Sequence, residues 1–249
     1  MAKPNRSGNK DNSIHVEQTS KLKNELKLKD FKWTEKQNQL IDLIHSKECK
    51  LCLISGPAGT SKSLISVYSG LTFLNNKRVS EILYTRPILE SADASSKLGY
   101  LPGERSSKVE PYLQVMEDKL IELLNKNDIN LLKSEERIKF LEVNYARGLN
   151  IAAKFWLIDE AQGFGIKELI TLITRISRAS KVIICADPTQ SDLAENKQGR
   201  FQKLFDLFSD DISKQNGIFT FQFTKEDVLR SDLCKFIIEK IENINKNSR

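Results

Sequence analysis

Histidine is almost absent from this chain, cysteine is scarce, and no apolar run is long. Each lack removes a class of function. The two histidines, His15 and His45, have no partner pattern and read as ordinary residues. The four cysteines lie at 49, 52, 185 and 234. Cys49 and Cys52 have the C-x-x-C spacing of a redox or zinc pair, but no second pair completes a metal site. Their context, "ECKLCLISG", is a strand entering a Gly-rich turn, and alternation along such a strand puts the two thiols on opposite faces. The cysteines therefore read as buried structural thiols of a reducing compartment. No apolar run reaches the length of a membrane span and nothing resembles a signal peptide, so the expected location is cytoplasmic, with no membrane partner. There is no internal repeat.

What is present suits one large α/β domain. The 249 residues are 39% hydrophobic, enough for a sizeable core. The net charge of +6 favours polyanionic partners without establishing one. Residues 1–30 carry seven basic and four acidic side chains and read as a flexible basic arm. Residues 31–249 then form a single domain, with a helical insertion at about 88–150. In "FKWTEKQNQLIDLIHS", Thr34 and Gln37 have the spacing of a capping box, and Phe31, Trp33, Leu40, Ile41 and Ile44 mark an apolar helix face. Strands are expected in "CKLCLIS", "EILYTRP", "AAKFWLID", "KVIICAD" and "GIFTFQF", alternating with helices. One helix carries Leu64, Val67, Tyr68 and Leu71, and another begins at Pro111. This alternation predicts a mostly parallel sheet covered by helices on both faces.

The chemistry begins at "GPAGTSKS". Gly56, Pro57, Ala58, Gly59, Thr60, Ser61, Lys62 and Ser63 form a Gly-rich turn between a strand and a helix. Backbone N–H groups in such a turn face a concavity that holds phosphates. Lys62 then serves the β- and γ-phosphates of ATP, and the Ser63 hydroxyl ligates Mg²⁺. Ser61 stands where the pattern has Gly. Its Cβ adds bulk, and a positive φ there costs about 1–2 kcal/mol. Asp159 and Glu160 close the strand "FWLID": the first holds Mg²⁺ and the second polarises the attacking water. Asp187 and Gln190 leave "IICADPTQ" at the same strand ends, where Gln190 can sense the γ-phosphate. Gln37 can read an adenine edge, and Arg86 can meet phosphate or nucleic acid. Arg230 in "DVLRSDL" can approach the γ-phosphate in cis or from a neighbouring subunit, with Arg147, Arg175 and Arg178 as further candidates.

"GPAGTSKS", "YTRPILE", "LGYLPGE" with "KVEPYL", "YARGLN", "WLIDEAQ", "ADPTQSDL" and "DVLRSDL" occur in the order seen in the phosphate-starvation-inducible PhoH-like ATPases, which this chain resembles over residues 33–242. The resemblance implies a RecA-like core related to superfamily-one helicases. In that core the "IICAD" strand lies between the phosphate-loop and "WLIDE" strands. The resemblance also assigns Lys62 and Ser63 to the loop, Asp159 and Glu160 to the metal-anchoring and catalytic acids, Gln37 to the adenine side, Gln190 to the sensor and Arg230 to the C-terminal motif. Ser61 and Ala186 depart from the family's glycines. A homo-oligomer, a hexamer with ATP between protomers, is implied as well. The expected function is Mg²⁺-dependent ATP hydrolysis coupled to single-stranded nucleic acid, RNA ahead of DNA. The alternatives are an ATP-dependent switch acting on a protein partner, and a small-molecule kinase.

Overall fold

The computed structural model describes residues 22–88, 105–188, 190 and 200–229. Among them run helix α1 (Glu35–His45), strand β1 (Leu51–Ser55), α2 (Lys62–Asn75), β2 (Ile82–Thr85), α3 (Arg105–Leu123), α4 (Lys126–Ser134), β3 (Ile138–Phe140), α5 (Val143–Ala146), β4 (Phe155–Ile158), α6 (Ile166–Ile173), β5 (Lys181–Ala186), α7 (Arg200–Leu207), α8 (Asp211–Gln215) and β6 (Ile218–Gln222). The six strands form one sheet in the order β3-β2-β4-β5-β1-β6, and every pairing is parallel. The "IICAD" strand β5 thus lies between β1 and β4, as the resemblance implied.

Alternation along the four central strands builds two cores. Phe155 and Leu157 of β4 face one side with Ile82, Tyr84, Ile183 and Cys52, under α1, α2, α3 and α4. Trp156 and Ile158 face the other with Leu83, Val182 and Ile184, under α6 and α7. Because both faces are covered, β1, β2, β4 and β5 are buried along their whole length, which explains their mostly apolar sequences. The fully buried Trp156 needs a partner for its indole N–H and finds Thr85 Oγ1 at 2.9 Å; Thr85 in turn donates to the Leu141 carbonyl at 2.7 Å. Truncating Trp156 to Ala would cost about 3–5 kcal/mol.

Local chemistry sets the helix ends. Thr34 and Gln37 form the expected capping box, with Leu40, Ile41 and Ile44 on the buried face of α1. Phe31 and Trp33 precede the helix and stack on each other instead, ring centroids 4.9 Å apart.

Four sequence expectations need correction or addition. Helix α3 starts at Arg105, so Pro111 lies inside it and does not open it. The 88–150 segment is helical but also returns β3 to the sheet edge beside β2. Residues 22–30, assigned to the flexible arm, are fastened to the domain. Leu26 is buried, Asn75 exchanges two 2.9 Å hydrogen bonds with its backbone, and the Lys29 N–H donates to the Leu123 carbonyl. Cys49 and Cys52 share one core cluster, because the strand begins only at Leu51 and its alternation does not extend back to Cys49. Cys49, Cys52 and Cys185 are buried and unbridged; Cys234 lies outside the described residues. Among the described residues no helix is long and apolar enough to cross a membrane.

Candidate active site

All six strands point their C-terminal ends one way, so the loops leaving β1, β4 and β5 meet at one edge. The register makes the meeting close: Ser55 pairs with Ala186, and Ile158 with Ile184. A cavity of about 360 Å³ opens there, lined by Gly59, Ser61, Lys62, Ser63, Asp159, Glu160, Asp187 and Gln190 among others.

The loop from Gly56 to Ser61 is held by its own domain. The Gly56 N–H donates to the Ala186 carbonyl at 3.2 Å. A Cβ on Gly56 would lie 2.6 Å from Phe223 Cβ, so only glycine lets the segment after β6 back onto the loop. The Ala58 N–H donates to Asp187 Oδ2 at 2.8 Å, and the buried Thr60 hydroxyl to the Pro57 carbonyl at 3.0 Å. The Leu229 N–H reaches the Gly59 carbonyl at 3.0 Å. Ser61 adopts φ 65°, ψ 21°, a left-handed conformation that a side chain resists, and its hydroxyl makes no capping bond to α2. Among the described residues no protein acceptor takes the N–H groups of Gly59, Thr60, Ser61 or Lys62. Four donors at a helix N-terminus are thereby left for an anion.

Lys62 is 8% exposed and donates to the carbonyls of Gly56 and Pro57 at 2.7 and 2.8 Å, using two of its three N–H groups. Burial lowers its pKa, against the opposing pull of Cys185, Asp187, Asp159 and Glu160. Beneath it, burial raises the Cys185 thiol to about 12, which makes it an inert wall.

Asp159 is 4% exposed, and its carboxylate accepts from Ser63 Oγ at 2.7 Å and from the Tyr84 hydroxyl at 3.4 Å. Burial and then the Asp159 charge raise the Tyr84 pKa, so the phenol stays a donor. Glu160 lies in the left-handed region, φ 53° and ψ 41°, which turns its side chain out of the strand line. Gln162 holds it there: its Nε2 donates to Glu160 Oε2 at 2.5 Å, while its Oε1 accepts the Asp187 N–H at 3.0 Å. One buried amide thus ties the acid after β4 to the turn after β5.

The other candidates divide. Gln37 does not line this cavity. Its Oε1 accepts the Thr34 N–H, while its Nε2 is buried and has no partner. Arg86 leaves β2 close enough to Tyr84 for its charge to act on the phenol, and its Nε is likewise buried and unpartnered. Arg147, Arg175 and Arg178 do not line the cavity, and Arg178 belongs to the opposite edge of the sheet. Arg230 lies outside the described residues; Leu229, which precedes it, is the residue bound to Gly59. Sequence reasoning missed Gln162, Tyr84, and Lys119 with Glu122 of α3, which also line the cavity. The only signal for the last pair was their three-residue spacing on a helix.

The model of the family described as PhoH-like protein matches residues 31–242. The chain belongs to the PhoH-like family. A PhoH-like protein from Synechocystis is 30% identical over 86% of this chain and 63% of its own length. One from Mycobacterium tuberculosis is 32% identical over 74% of this chain and 50% of its own. This PhoH-like chain thus spans about half to two thirds of the length of those relatives. Among solved structures, the Pif1 helicase from Candida albicans aligns with a TM-score of 0.36 at 15% identity, over 78% of this chain and 41% of that one; a likeness at that level carries no argument.

The site's chemistry fits a magnesium nucleotide. Among the described residues no three His, Cys, Asp or Glu side chains cluster as a metal cage. Mg²⁺ does not need one, since it takes one or two protein oxygens and completes its shell with water and phosphate. Ser63 and Asp159 are such a pair.

Proposed function

We propose that this PhoH-like protein hydrolyses ATP with Mg²⁺ and couples the reaction to single-stranded nucleic acid, RNA ahead of DNA. One observation carries the hydrolytic part. Loop residues Gly59, Ser61 and Lys62, whose N–H groups have no protein acceptor among the described residues, line one cavity with the Ser63–Asp159 pair and Glu160.

The residues divide the work by chemistry. The loop N–H groups and Lys62 bind the β- and γ-phosphates and stabilise charge as the terminal phosphoryl group leaves. The Ser63 hydroxyl and Asp159 would hold Mg²⁺, which would supply charge neutralisation at the phosphate oxygens. Glu160 takes a proton from the attacking water, whose oxygen bonds to the γ-phosphorus as the bond to ADP breaks. Gln162 fixes the Glu160 carboxylate, and Gln190 senses the terminal phosphate. The unpartnered Gln37 amide is a donor suited to an adenine ring acceptor. Arg86 and Arg230 are proposed to contact phosphate, the latter in cis or from a neighbouring subunit.

Coupling to nucleic acid rests on the net charge of +6 and on family membership. A second subunit would supply the other wall of the nucleotide site, so we propose a homo-oligomer, a hexamer. Sedimentation with and without ATP and Mg²⁺ tests this; a monomer at high concentration removes it. The central experiment is phosphate release from ATP with RNA, with DNA and with neither. RNA stimulation that weakens with salt supports the coupling. Hydrolysis indifferent to both polymers returns the function to a switch acting on a protein. No nucleotide binding at all removes the site.

A further inference from the structure

A second cavity, of about 780 Å³, opens at the N-terminal edge of the sheet, a strand's length from the phosphate loop. It lies where β5 begins, between the turn before β1, the turn after α2 and the turn before β5. Five of its lining residues are cations: Lys47, Lys50, Arg78, Arg178 and Lys181. Among the described residues no carboxylate lines it.

Among the described residues no ion pair neutralises this charge. Some cations elsewhere in the domain do find acids: Arg137 pairs with Glu135 at 2.8 Å, Lys133 with Glu117 at 2.7 Å, and Lys139 and Lys154 both with Glu81 at 3.0 Å. Glu48, whose charge favours protonated Lys181, stands outside the lining.

Lys47, Lys50, Arg78 and Arg178 are exposed, and Lys181 is buried among them. Lys181 is 4% exposed, and its ammonium is held by the Ser46 carbonyl at 2.9 Å and by the Cys49 carbonyl, which leaves one N–H to spare. Arg78 lies over the Phe73 ring at 4.2 Å, a stack that fixes the plane of its guanidinium. Arg178 and Ser177 enter from the opposite wall, on a turn in which Ala179 takes a left-handed φ of 59°. The local potential is felt by His45, whose pKa is lowered by burial and then by Arg78 and Lys181.

We infer that this cavity binds an oligophosphate group. Its volume is that of a small-molecule site. Guanidinium forks and ammonium points together match phosphate oxygens. Five cations exceed what one carboxylate would neutralise. Phe73 is already covered by Arg78 and Lys181, so no aromatic face remains for a base, and recognition falls on the phosphates. The ligand is free oligophosphate or the phosphate arm of a nucleotide, bound apart from the hydrolytic loop.

The test uses the full chain carrying Lys62→Ala, which weakens the phosphate loop, and tripolyphosphate titrated by calorimetry. Adding Arg78→Gln and Arg178→Gln should weaken binding at least about tenfold, whereas Lys32→Gln with Lys203→Gln, equal in charge but outside the cavity, should change it less than about twofold. Lys47→Gln with Lys50→Gln repeats the comparison without disturbing the Phe73 stack. A parallel titration with ATP separates the sources: the same arginine dependence assigns a nucleotide's phosphate arm, and tripolyphosphate binding alone assigns free oligophosphate. No tripolyphosphate binding, or equal weakening by both charge-matched doubles, overturns the inference. So does a loss confined to single-stranded RNA, which would make the cavity a contact for a polymer backbone.

Discussion

The two edges of the sheet carry opposite electrostatics. At the C-terminal edge Lys62, Asp159, Glu160 and Asp187 each have a protein partner within hydrogen-bond reach, and two ammonium groups, Lys62 and Lys119, share the cavity with the four carboxylates of Glu122, Asp159, Glu160 and Asp187. At the N-terminal edge five cations share a cavity with no carboxylate in its lining. The first edge is pre-organised yet net negative, so it is not by itself a site for a highly charged anion. It becomes one only when a divalent cation accompanies the phosphates. The second needs no such companion. On the two proposals the same parallel sheet would carry one phosphate site that depends on metal and one that does not.

The sharpest way to break the contrast is at the catalytic groups. Lys62→Ala should lower the rate constant for ATP hydrolysis by about 10²–10³, the loss typical of removing a fixed stabiliser of transition-state charge. Glu160→Gln should lower it by a similar factor, within the range of about 10²–10⁴ for a general base, while filter binding shows ATP still retained. Normal turnover in either variant removes the assigned role. Withdrawal of Mg²⁺ by chelator comes next. ATP affinity at the loop should fall by about tenfold or more, whereas tripolyphosphate binding by the Lys62→Ala chain should hold or strengthen, because the metal competes for the same oxygens. Equal metal dependence at both edges would erase the distinction.

Gln162→Leu probes how the first edge is held together. The substitution removes the link between Glu160 and the Asp187 N–H and leaves that N–H buried without its acceptor, at a cost of about 1–3 kcal/mol. Hydrolysis should fall by about tenfold through misplacement of the base, with ATP affinity nearly unchanged. Thermal melting together with kcat and KM checks both halves. A loss of stability with an unaltered kcat would mean that the amide only braces the turn.

Gln162 also marks where sequence reasoning stopped. The acids of "WLIDEAQ" were legible because a hydrophobic strand ends in them, but the glutamine acts across to another strand, and only the β4–β5 register makes that reach possible. The capping box at Thr34 and Gln37 was legible because its chemistry spans three residues. β3 was not, since three residues are too few to show alternation and its strand character comes from pairing with β2. The hold on residues 22–30 was hidden for the same reason: Asn75 and Asp128, distant in sequence, supply the bonds. Lys119 and Glu122 reach the nucleotide cavity only through the path of α3, which periodicity does not reveal. The cationic cavity gathers residues from positions 47 to 181, so no local stretch announces it.

The smallest expected effect concerns the one residue of the phosphate loop that departs from pattern. Ser61 takes a left-handed backbone without a compensating capping bond, so glycine should relieve roughly 1–2 kcal/mol of native-state strain. The extra freedom of glycine in the unfolded chain returns about 0.5–1 kcal/mol of that. The net gain should therefore be about 0.5–1 kcal/mol, a rise of a few degrees at most in the melting temperature. ATP affinity separates two roles for the side chain. If the Cβ only crowds the phosphates, Ser61→Gly should bind ATP about two- to fivefold more tightly, because crowding in the bound state is removed. If the hydroxyl donates to a phosphate oxygen, the same variant should melt higher yet bind more weakly. That split would mean the loop keeps a strained residue because the strain positions a donor.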